Sequence, residues 1–566
     1  MQSELLTPYE RGNKNQTSTW EECIEFYRLL EARFPHIVQL SEIGMSDAGT
    51  PIHAGTVTAD GVHDFAAIKK SNRPVFFNNN GIHPGEPEGI DACMALVRDF
   101  CIQPELLKML KKMVFLFIPV YNVDGCRRRN NSSRVNQQGP ENFGFRGNAM
   151  HMDLNRDFIK CDSQNAQVFN RFFTAWDPDL MVDTHTSNGA DYSYTMTVIQ
   201  TQADKLGGAQ GEFVRNVMMP AIAKDMTRRG WPICPYVNPV KETPDDGIED
   251  FLDLPRFSTG YAALNYTIGL MPETHMLKSF RHRYESMRAF VEAMVSFTSE
   301  YSDQIQAQRH AARSAGQIRT EWPVRWKPDY SNGSKFQFKG YASCWRPSIL
   351  GNYARLYYDT TRPWEKQIDY FDHYVAEVSV TAPVAYVIPQ QWREVIQRLE
   401  WNGVKMERLT ESGWHHAQTY HIQRVQSRSV PYEGRMFHDE VELETRAESV
   451  WLKAGDCVLP VSQQRSRYAI ETLEPLAHDS FFRWGFFNSV LEKKEHYSNY
   501  IFEDTAAELL AEDPQLNAAF EQWKLDNPQL LASQQDVLDF IFFNCKKYNE
   551  PEWRRYPVFR LMQRPD

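Results

Sequence analysis

The segment Pro74-Val-Phe-Phe-Asn-Asn-Asn-Gly-Ile-His-Pro-Gly-Glu86 decides how this chain is read. It opens with a short apolar run, the signature of a strand covered on both faces. It then passes into polar residues and ends with an imidazole and a carboxylate three positions apart. Ile90, Met94, Val97 and Cys101 follow at i, i+4, i+7 and i+11, an apolar stripe of helical period. A second apolar run, Met113 to Tyr121, comes next, so the region reads as strand, helix, strand.

The same strand signature recurs in Asp179-Leu-Met-Val-Asp183 and Tyr266-Thr-Ile-Gly-Leu-Met271. All four runs lead into polar or ionisable residues: His83 and Glu86, Asn122 and Asp124, His185, and Glu273. Ligands of open α/β sheets sit beyond the carboxyl ends of the strands, so these endings are expected to converge on one cleft. Upstream, Ile24, Tyr27, Leu30 and Ala32 alternate with charged residues between Trp20 and Phe34, and Pro35 ends one amphipathic helix. From Arg281 to about Ala311 the chain is helix-permissive, with Tyr284, Met287, Phe290, Val291, Met294 and Phe297 on the buried face.

Residues 312–340, with Ser-Ala-Gly, Trp-Pro and Ser-Asn-Gly, read as a linker or irregular connection, which sets a domain boundary near 320. Beyond it come strand-like and turn-like pieces, then Val384-Ala-Tyr-Val-Ile388, a helix from about Gln390 to Trp401, and Val404-Lys-Met-Glu-Arg408. A β-rich stretch from His415 to Leu473 and a helix-rich tail from Thr505 to Tyr548 complete the chain. Trp345-Arg-Pro347 and the aromatic run Phe481 to Phe487 read as core, with a substrate-contacting or partner surface as the alternative. The expected fold class is α/β. Residues 1–320 form an α/β/α sandwich on a mixed, largely parallel central sheet, and residues 321–566 a smaller α+β region.

Composition narrows the function. Lys+Arg of 62 against Asp+Glu of 73 gives a net charge of −11, without the basic excess that a broad phosphate-binding surface needs, so no nucleic acid is expected as partner. Nine cysteines without a C-x-x-C pair argue against a disulfide framework and against a cysteine zinc site. The longest apolar run, Met113 to Tyr121, is far short of the roughly 20 residues a membrane helix needs, so no membrane span is expected. The segment Met1 to Trp20 has no basic region followed by an apolar one. As written the chain therefore reads as cytoplasmic, or as periplasmic or secreted if a leader has been removed.

The chemistry lies in the strand endings. Zinc accepts His83 and Glu86 as ligand types, and a third ligand from a distant strand end would leave one position open, as catalytic sites require. The alternative is a solvated loop histidine beside a glutamate at a helix N-terminus. His185 closes a buried run in Asp183-Thr-His-Thr-Ser187 and reads as that third ligand or as a hydrogen-bonded histidine at the sheet rim. Glu273 ends another buried run, where a carboxylate is costly without a partner or a task. A salt bridge to Arg281 or His282 is the alternative reading. Gly144-Phe-Arg-Gly-Asn148 and Asp153-Leu-Asn-Arg-Asp157 offer guanidinium and amide groups able to grip a carboxylate, or simply to bond backbone.

In this order, on strand ends, these motifs resemble the zinc carboxypeptidase family that includes pancreatic carboxypeptidases A and B, over most of residues 1–300. The resemblance implies one zinc ion held by His83, Glu86 and His185, with Glu273 as the catalytic glutamate. It implies that Asn155 and Arg156 hold the substrate's terminal carboxylate. In the regulatory branch an arginine nine residues before that asparagine polarises the scissile carbonyl, which implies Arg146, in the frame Arg-x-Asn-Ala-x-x-x-Asp-Leu-Asn-Arg. Asp153 corresponds to the carboxylate that orients the first zinc histidine. Tyr121-Asn-Val-Asp-Gly125 resembles the family's N-P-D-G turn with valine for proline, and Thr186 stands where many members have serine.

The family's mobile tyrosine has Tyr261 as its nearest candidate and Tyr266 as a rival. The base of the side-chain pocket lies between about Asp250 and Tyr261, where the segment does not align. The expected activity is hydrolysis of the C-terminal amide bond of peptides, or of a small amide with a free carboxylate. A deacylase of N-acyl amino acids or an amidase of cell-wall peptides uses the same chemistry, and a catalytically idle binding module is the reading of another class.

Overall fold

The computed structural model of the protein describes residues 5–563. Its centre is a nine-stranded sheet. The strands are β1 (Val38–Met45), β2 (Pro51–Val57), β3 (Val75–Asn79), β4 (Val114–Ile118), β5 (Leu180–Asp183), β6 (His185–Ser187), β7 (Met196–Gln200), β8 (Ile233–Pro235) and β9 (Ile268–His275). Their order is β1-β2-β4-β3-β5-β9-β7-β8, with β6 alongside β9. The pairs β4/β3, β3/β5, β5/β9, β6/β9 and β7/β8 are parallel. The pairs β1/β2, β2/β4 and β9/β7 are antiparallel. The sheet is thus mixed and largely parallel at its centre.

Strand alternation divides the core. Phe76, Phe115, Phe117, Val182 and Leu270 face a layer built from α1 (Trp20–Arg33), α2 (Glu88–Ile102) and a helix over Phe280–Glu300. Phe77, Leu116, Ile118 and Met181 face the other way. They meet Phe169 and Phe173 of α3 (Gln164–Trp176), Tyr261 of α4 (Ser258–Leu264), and a large contribution from beyond residue 320: Tyr386, Ile396, Tyr468, Trp484 and Tyr556. Helix α1 begins as its sequence dictates. Thr19 accepts from the backbone of Glu22, whose side chain returns the bond to the cap, and together they satisfy amide groups that a helix start leaves open.

Beyond residue 320 the chain is α+β. Strand β10 (Glu321–Pro328) pairs with β13 (Tyr374–Thr381), while β11 (Ser334–Pro347) and β12 (Ala354–Phe371) form a long hairpin. A six-stranded sheet contains β14 (Ala385–Ile388) and the hairpin of β15 (Gly413–Ser427) and β16 (His438–Leu452). Three tail helices, Asn499–Glu512, Pro514–Asp526 and Gln534–Asn544, pack on one another through Phe502, Leu509, Phe520, Leu538 and Phe542. Among the described residues no helix is long and apolar enough to cross a membrane.

Four expectations need correction. Trp345, read as core, is 51% exposed. The helix-permissive stretch 281–311 is two helices, α5 (Phe280–Glu300) and α6 (Ser302–Ile318), parted at Tyr301, whose ring stacks on Phe297 at 4.5 Å. The turn lets Arg309 of α6 reach Asp177, Tyr266 and Asn265 in the interior. Residues 312–340 are not a linker, because α6 runs to Ile318 and β10 begins at Glu321. The prolines that suggest a break, Pro323 and Pro328, are accommodated because β10 has one partner strand and a register shift beside Pro323. Finally, the β-rich stretch ending at Leu473 closes with a helix, Ser466–Leu473, whose residues are all buried.

Candidate active site

The four ionisable groups of the strand endings meet. His83 and Glu86 lie in the turn between β3 and α2, which sits close to the neighbouring strand end because Gly89 has no side chain; a Cβ there would overlap the Thr184 hydroxyl. His185 opens β6, and Glu273 of β9 is its direct register partner. Pro272 costs no ladder bond, because it falls where β9 passes from pairing with β5 (Leu270 to Val182) to pairing with β6 (Glu273 to His185). Of the remaining strand, β4, neither polar residue reaches the cleft. Asn122 holds the Arg146 carbonyl at 2.9 Å and Asp124 accepts from Ser46 at 2.7 Å.

His83, Glu86 and His185 each offer a ligand atom within 4.8 Å of the others. Nε2 of His83 is 2.8 Å from Asp153, and Nε2 of His185 is 2.9 Å from Asp183. A carboxylate can only accept, so each Nε2 carries a proton, and Nδ1 is the ring atom left to face Glu86 and to serve a metal. Both Nδ1 atoms point at Glu86, from 3.4 Å for His83 and 3.1 Å for His185, and Nδ1 of His83 is buried without a hydrogen-bond partner. Two imidazole lone pairs and a carboxylate, all buried, fit the donor set and spacing of zinc. His83 is only 2% exposed, which removes the reading of a solvated loop histidine.

Electrostatics favour a cation. Burial opposes ionisation of Glu86, but Arg134, His83 and His185 outweigh it and hold its carboxyl well below the ordinary value. Burial likewise opposes ionisation of Asp153, and His83, Arg146 and Arg156 hold it far below. Glu273 goes the other way. Burial, with Glu86 adding to it, pushes its carboxyl up to about 8 against the pull of His185 and Arg146. Its carboxylate bonds no described residue, and Arg281, one of the expected salt-bridge partners, pairs instead with Glu285 at 2.8 Å. A buried carboxyl with a raised pKa and no structural partner suits proton transfer near neutral pH.

The segment from Arg146 to Arg156 supplies further lining groups. Arg146 bonds Asp153 at 2.9 Å through Nε and approaches Glu86 to 3.4 Å. Asn155 and Arg156 lie in the short helical turn Leu154–Arg156, capped by Asp153. The Asn155 side-chain oxygen accepts from the Ser258 amide at 3.0 Å, and the Arg156 guanidinium lies over Phe257 at 4.5 Å. The cleft encloses about 370 Å³, and its lining includes His83, Glu86, Arg146, Asn155, Arg156, His185 and Glu273, while Asp153 lies behind His83.

Several lining groups are not legible from motifs. Arg134 bonds Glu86 at 2.5 Å and the Thr186 carbonyl at 2.9 Å. Tyr236, Phe251, Phe257, Ile199 and Met271 make an apolar flank. Asp183 could have been found, since strand period two places it on the side of His185. Neither tyrosine candidate is at the site. Tyr261 is fully buried with its hydroxyl on Asn402 at 2.6 Å, and the Tyr266 hydroxyl lies against Gly316 of α6. Tyr236 is the tyrosine that lines the cleft.

The chain is similar to several known proteins. The sequence profile of the zinc carboxypeptidases matches residues 23–194. Carboxypeptidase 2 of Trichophyton equinum is 23% identical over 424 residues, covering 72% of this chain and 72% of that protein. Probable carboxypeptidase 2 of Arthroderma benhamiae is 22% identical over 418 residues, covering 70% and 73%. Among solved structures, a metallo-carboxypeptidase from Burkholderia cenocepacia superposes with a TM-score of 0.38 at 13% identity, covering 50% of this chain and 70% of that one. Residues 23–194 thus carry the profile of the zinc carboxypeptidases, and together with these relatives this supports a zinc metallopeptidase of the carboxypeptidase type.

Proposed function

We propose that this protein removes the C-terminal residue of peptides, using one zinc ion held by His83 and His185 through Nδ1 and by Glu86. The observation that carries this reading is the Glu273 carboxyl, buried and unpartnered, in register with His185 and lining the same cleft as Arg146, Asn155 and Arg156. When bound, zinc supplies Lewis acidity that acidifies a water and polarises the scissile carbonyl. Glu273 takes the proton of the attacking water and returns one to the leaving amine. Arg146 stabilises the negative charge that gathers on the carbonyl oxygen, the kind of interaction that usually contributes most to the rate. Asp153 and Asp183 keep the two imidazoles in the tautomer that exposes Nδ1. Asn155 and Arg156 bind the terminal carboxylate and thereby select the chain end.

The apolar flank points to the substrate class. Met271 is two residues before Glu273 on β9 and so on the same face, and Ile199 is its register partner on β7. With Phe251 and Phe257 they offer a C-terminal side chain no charged partner, so the released residue is apolar or aromatic. In this reading residues 1–320 form the catalytic domain and 321–566 an accessory region packed on the second face of its sheet.

The test is the profile of residues released from a mixed peptide library, with chelator and after zinc is restored. Release of apolar C-terminal residues, abolished by chelation and recovered with zinc, is expected. Hydrolysis confined to N-acyl amino acids or γ-linked wall peptides would replace this reading with a deacylase or amidase. No hydrolysis by zinc-loaded protein would leave a binding module.

A further inference from the structure

The turn between β15 and β16 crosses into the catalytic half. Tyr432 and Arg435 close it by exchanging backbone bonds of 2.8 and 3.1 Å. The Tyr432 hydroxyl accepts from Nε of Arg156 at 3.1 Å. The neighbouring Glu433 carboxylate accepts from the Asp153 amide at 2.9 Å, at the start of the turn that carries Asn155 and Arg156. Glu433 does so at φ 48°, a left-handed conformation that a residue with a Cβ adopts at a cost, and Gly434 follows at φ 81°. Arg435 then forks onto Asp162 with bonds of 2.7 and 2.6 Å.

The Tyr432 ring is itself fixed. It stacks on Trp484 at 5.9 Å, and the guanidiniums of Arg428 and Arg256 lie over it at 4.3 and 5.4 Å. Arg256 is held in turn by Asp479 at 2.8 Å. Arg156 is therefore gripped at Nε by Tyr432, at Nη1 by the Asn155 carbonyl at 2.9 Å and on one face by Phe257, while Nη2 bonds no described residue.

We propose that Tyr432 is a positioning residue for Arg156. The accessory region presents a rigid hydroxyl that fixes the guanidinium in the orientation that receives a terminal carboxylate, and Glu433 fixes the turn beneath it. This gives residues beyond 320 a part in substrate binding, and it rests on the assignment of Arg156 to the carboxylate. A long cationic side chain loses rotamer freedom when it binds, and a hydroxyl that holds it beforehand removes part of that cost.

Tyr432→Phe in the full zinc-loaded chain keeps the ring on Trp484 and deletes only the hydroxyl. KM for a peptide ending in phenylalanine should rise about fivefold with kcat unchanged, as expected for one charge-assisted hydrogen bond acting on binding alone. Product inhibition by L-phenylalanine should weaken by the same factor, whereas inhibition by L-phenylalaninamide, which lacks the carboxylate, should not change. Arg156→Ala separates the two levels of the argument. If it leaves KM unaltered, the carboxylate assignment is wrong. If it raises KM while Tyr432→Phe alters neither KM nor inhibition by L-phenylalanine, the positioning role is wrong. A Tyr432→Phe variant that loses kcat with KM unchanged, or responds equally to acid and amide, would also overturn it.

Discussion

The two walls of the cleft are built on different principles. His83, Glu86, His185 and Glu273 hang from the ends of adjacent parallel strands, and none is more than 8% exposed. Their spacing follows from the sheet, whose ladder bonds fix β3, β5, β6 and β9 side by side. Arg146, Asn155 and Arg156 stand on loop and a single helical turn with no ladder beneath them. Side chains hold that wall: Asp153 from within, Tyr432 and Glu433 from residues nearly three hundred positions away, and Asp162 where it meets Arg398 and Arg435. The first wall is rigid because the fold is rigid. The second is as rigid as its ties, so substitutions remote in sequence can change binding without touching the chemistry.

Each wall can be broken separately. Glu273→Gln preserves shape but removes the proton acceptor, and kcat should fall about a thousandfold or more. Zinc content by metal analysis should stay as in the parent, because Glu273 is not among the ligands. Near-normal turnover would break the assignment of the metal-facing wall. Arg156→Ala should act on the other wall, raising KM roughly a hundredfold through loss of a charged, hydrogen-bonded contact, with a smaller change in kcat. Steady-state kinetics on one peptide decides it, and an effect on kcat alone would contradict the division between the walls.

The smallest effect concerns the ties. Burial opposes ionisation of Asp162, but Arg435, Lys160 and Arg398 hold its carboxyl below the ordinary value. A carboxyl depressed in the native state contributes its full stability above the unfolded-state pKa of about 3.9 and loses it as pH falls through the native value. Asp162→Asn should therefore cost about 3 kcal/mol at neutral pH, the size of a broken buried pair, and progressively less below about pH 4. Urea unfolding near neutral and near pH 3 measures this, and a difference undiminished near pH 3 would show that the charge of Asp162 does not carry the effect.

Legibility in the sequence follows the same division. The metal-facing residues could be named because buried parallel strands read as apolar runs, and an ionisable residue at the end of such a run is conspicuous. Arg146, Asn155 and Arg156 came from the family resemblance, since arginine and asparagine in a polar loop have many ordinary uses. Tyr236 and Phe251 carried no signal, because aromatic residues are common in cores and spacing along an irregular segment does not say which of them face a cleft. Spacing did not decide between Tyr261 and Tyr266 for that reason, and the Tyr261 ring is a core residue packed against Phe158 and Phe173. The break of the long helix at Tyr301 and the strand at Glu321–Pro328 were missed because tertiary packing overrides local propensity there.

What the amino-acid order determined alone is the set of buried strands and the ionisable groups at their ends. These are local properties, since period, apolarity and a terminal carboxylate or imidazole are all readable within a few residues. Only the tertiary structure decided that Ile199 comes to lie beside Met271 and that Tyr432 reaches Arg156. Contacts between residues far apart in the chain depend on how whole layers dock, and no short-range pattern encodes that geometry.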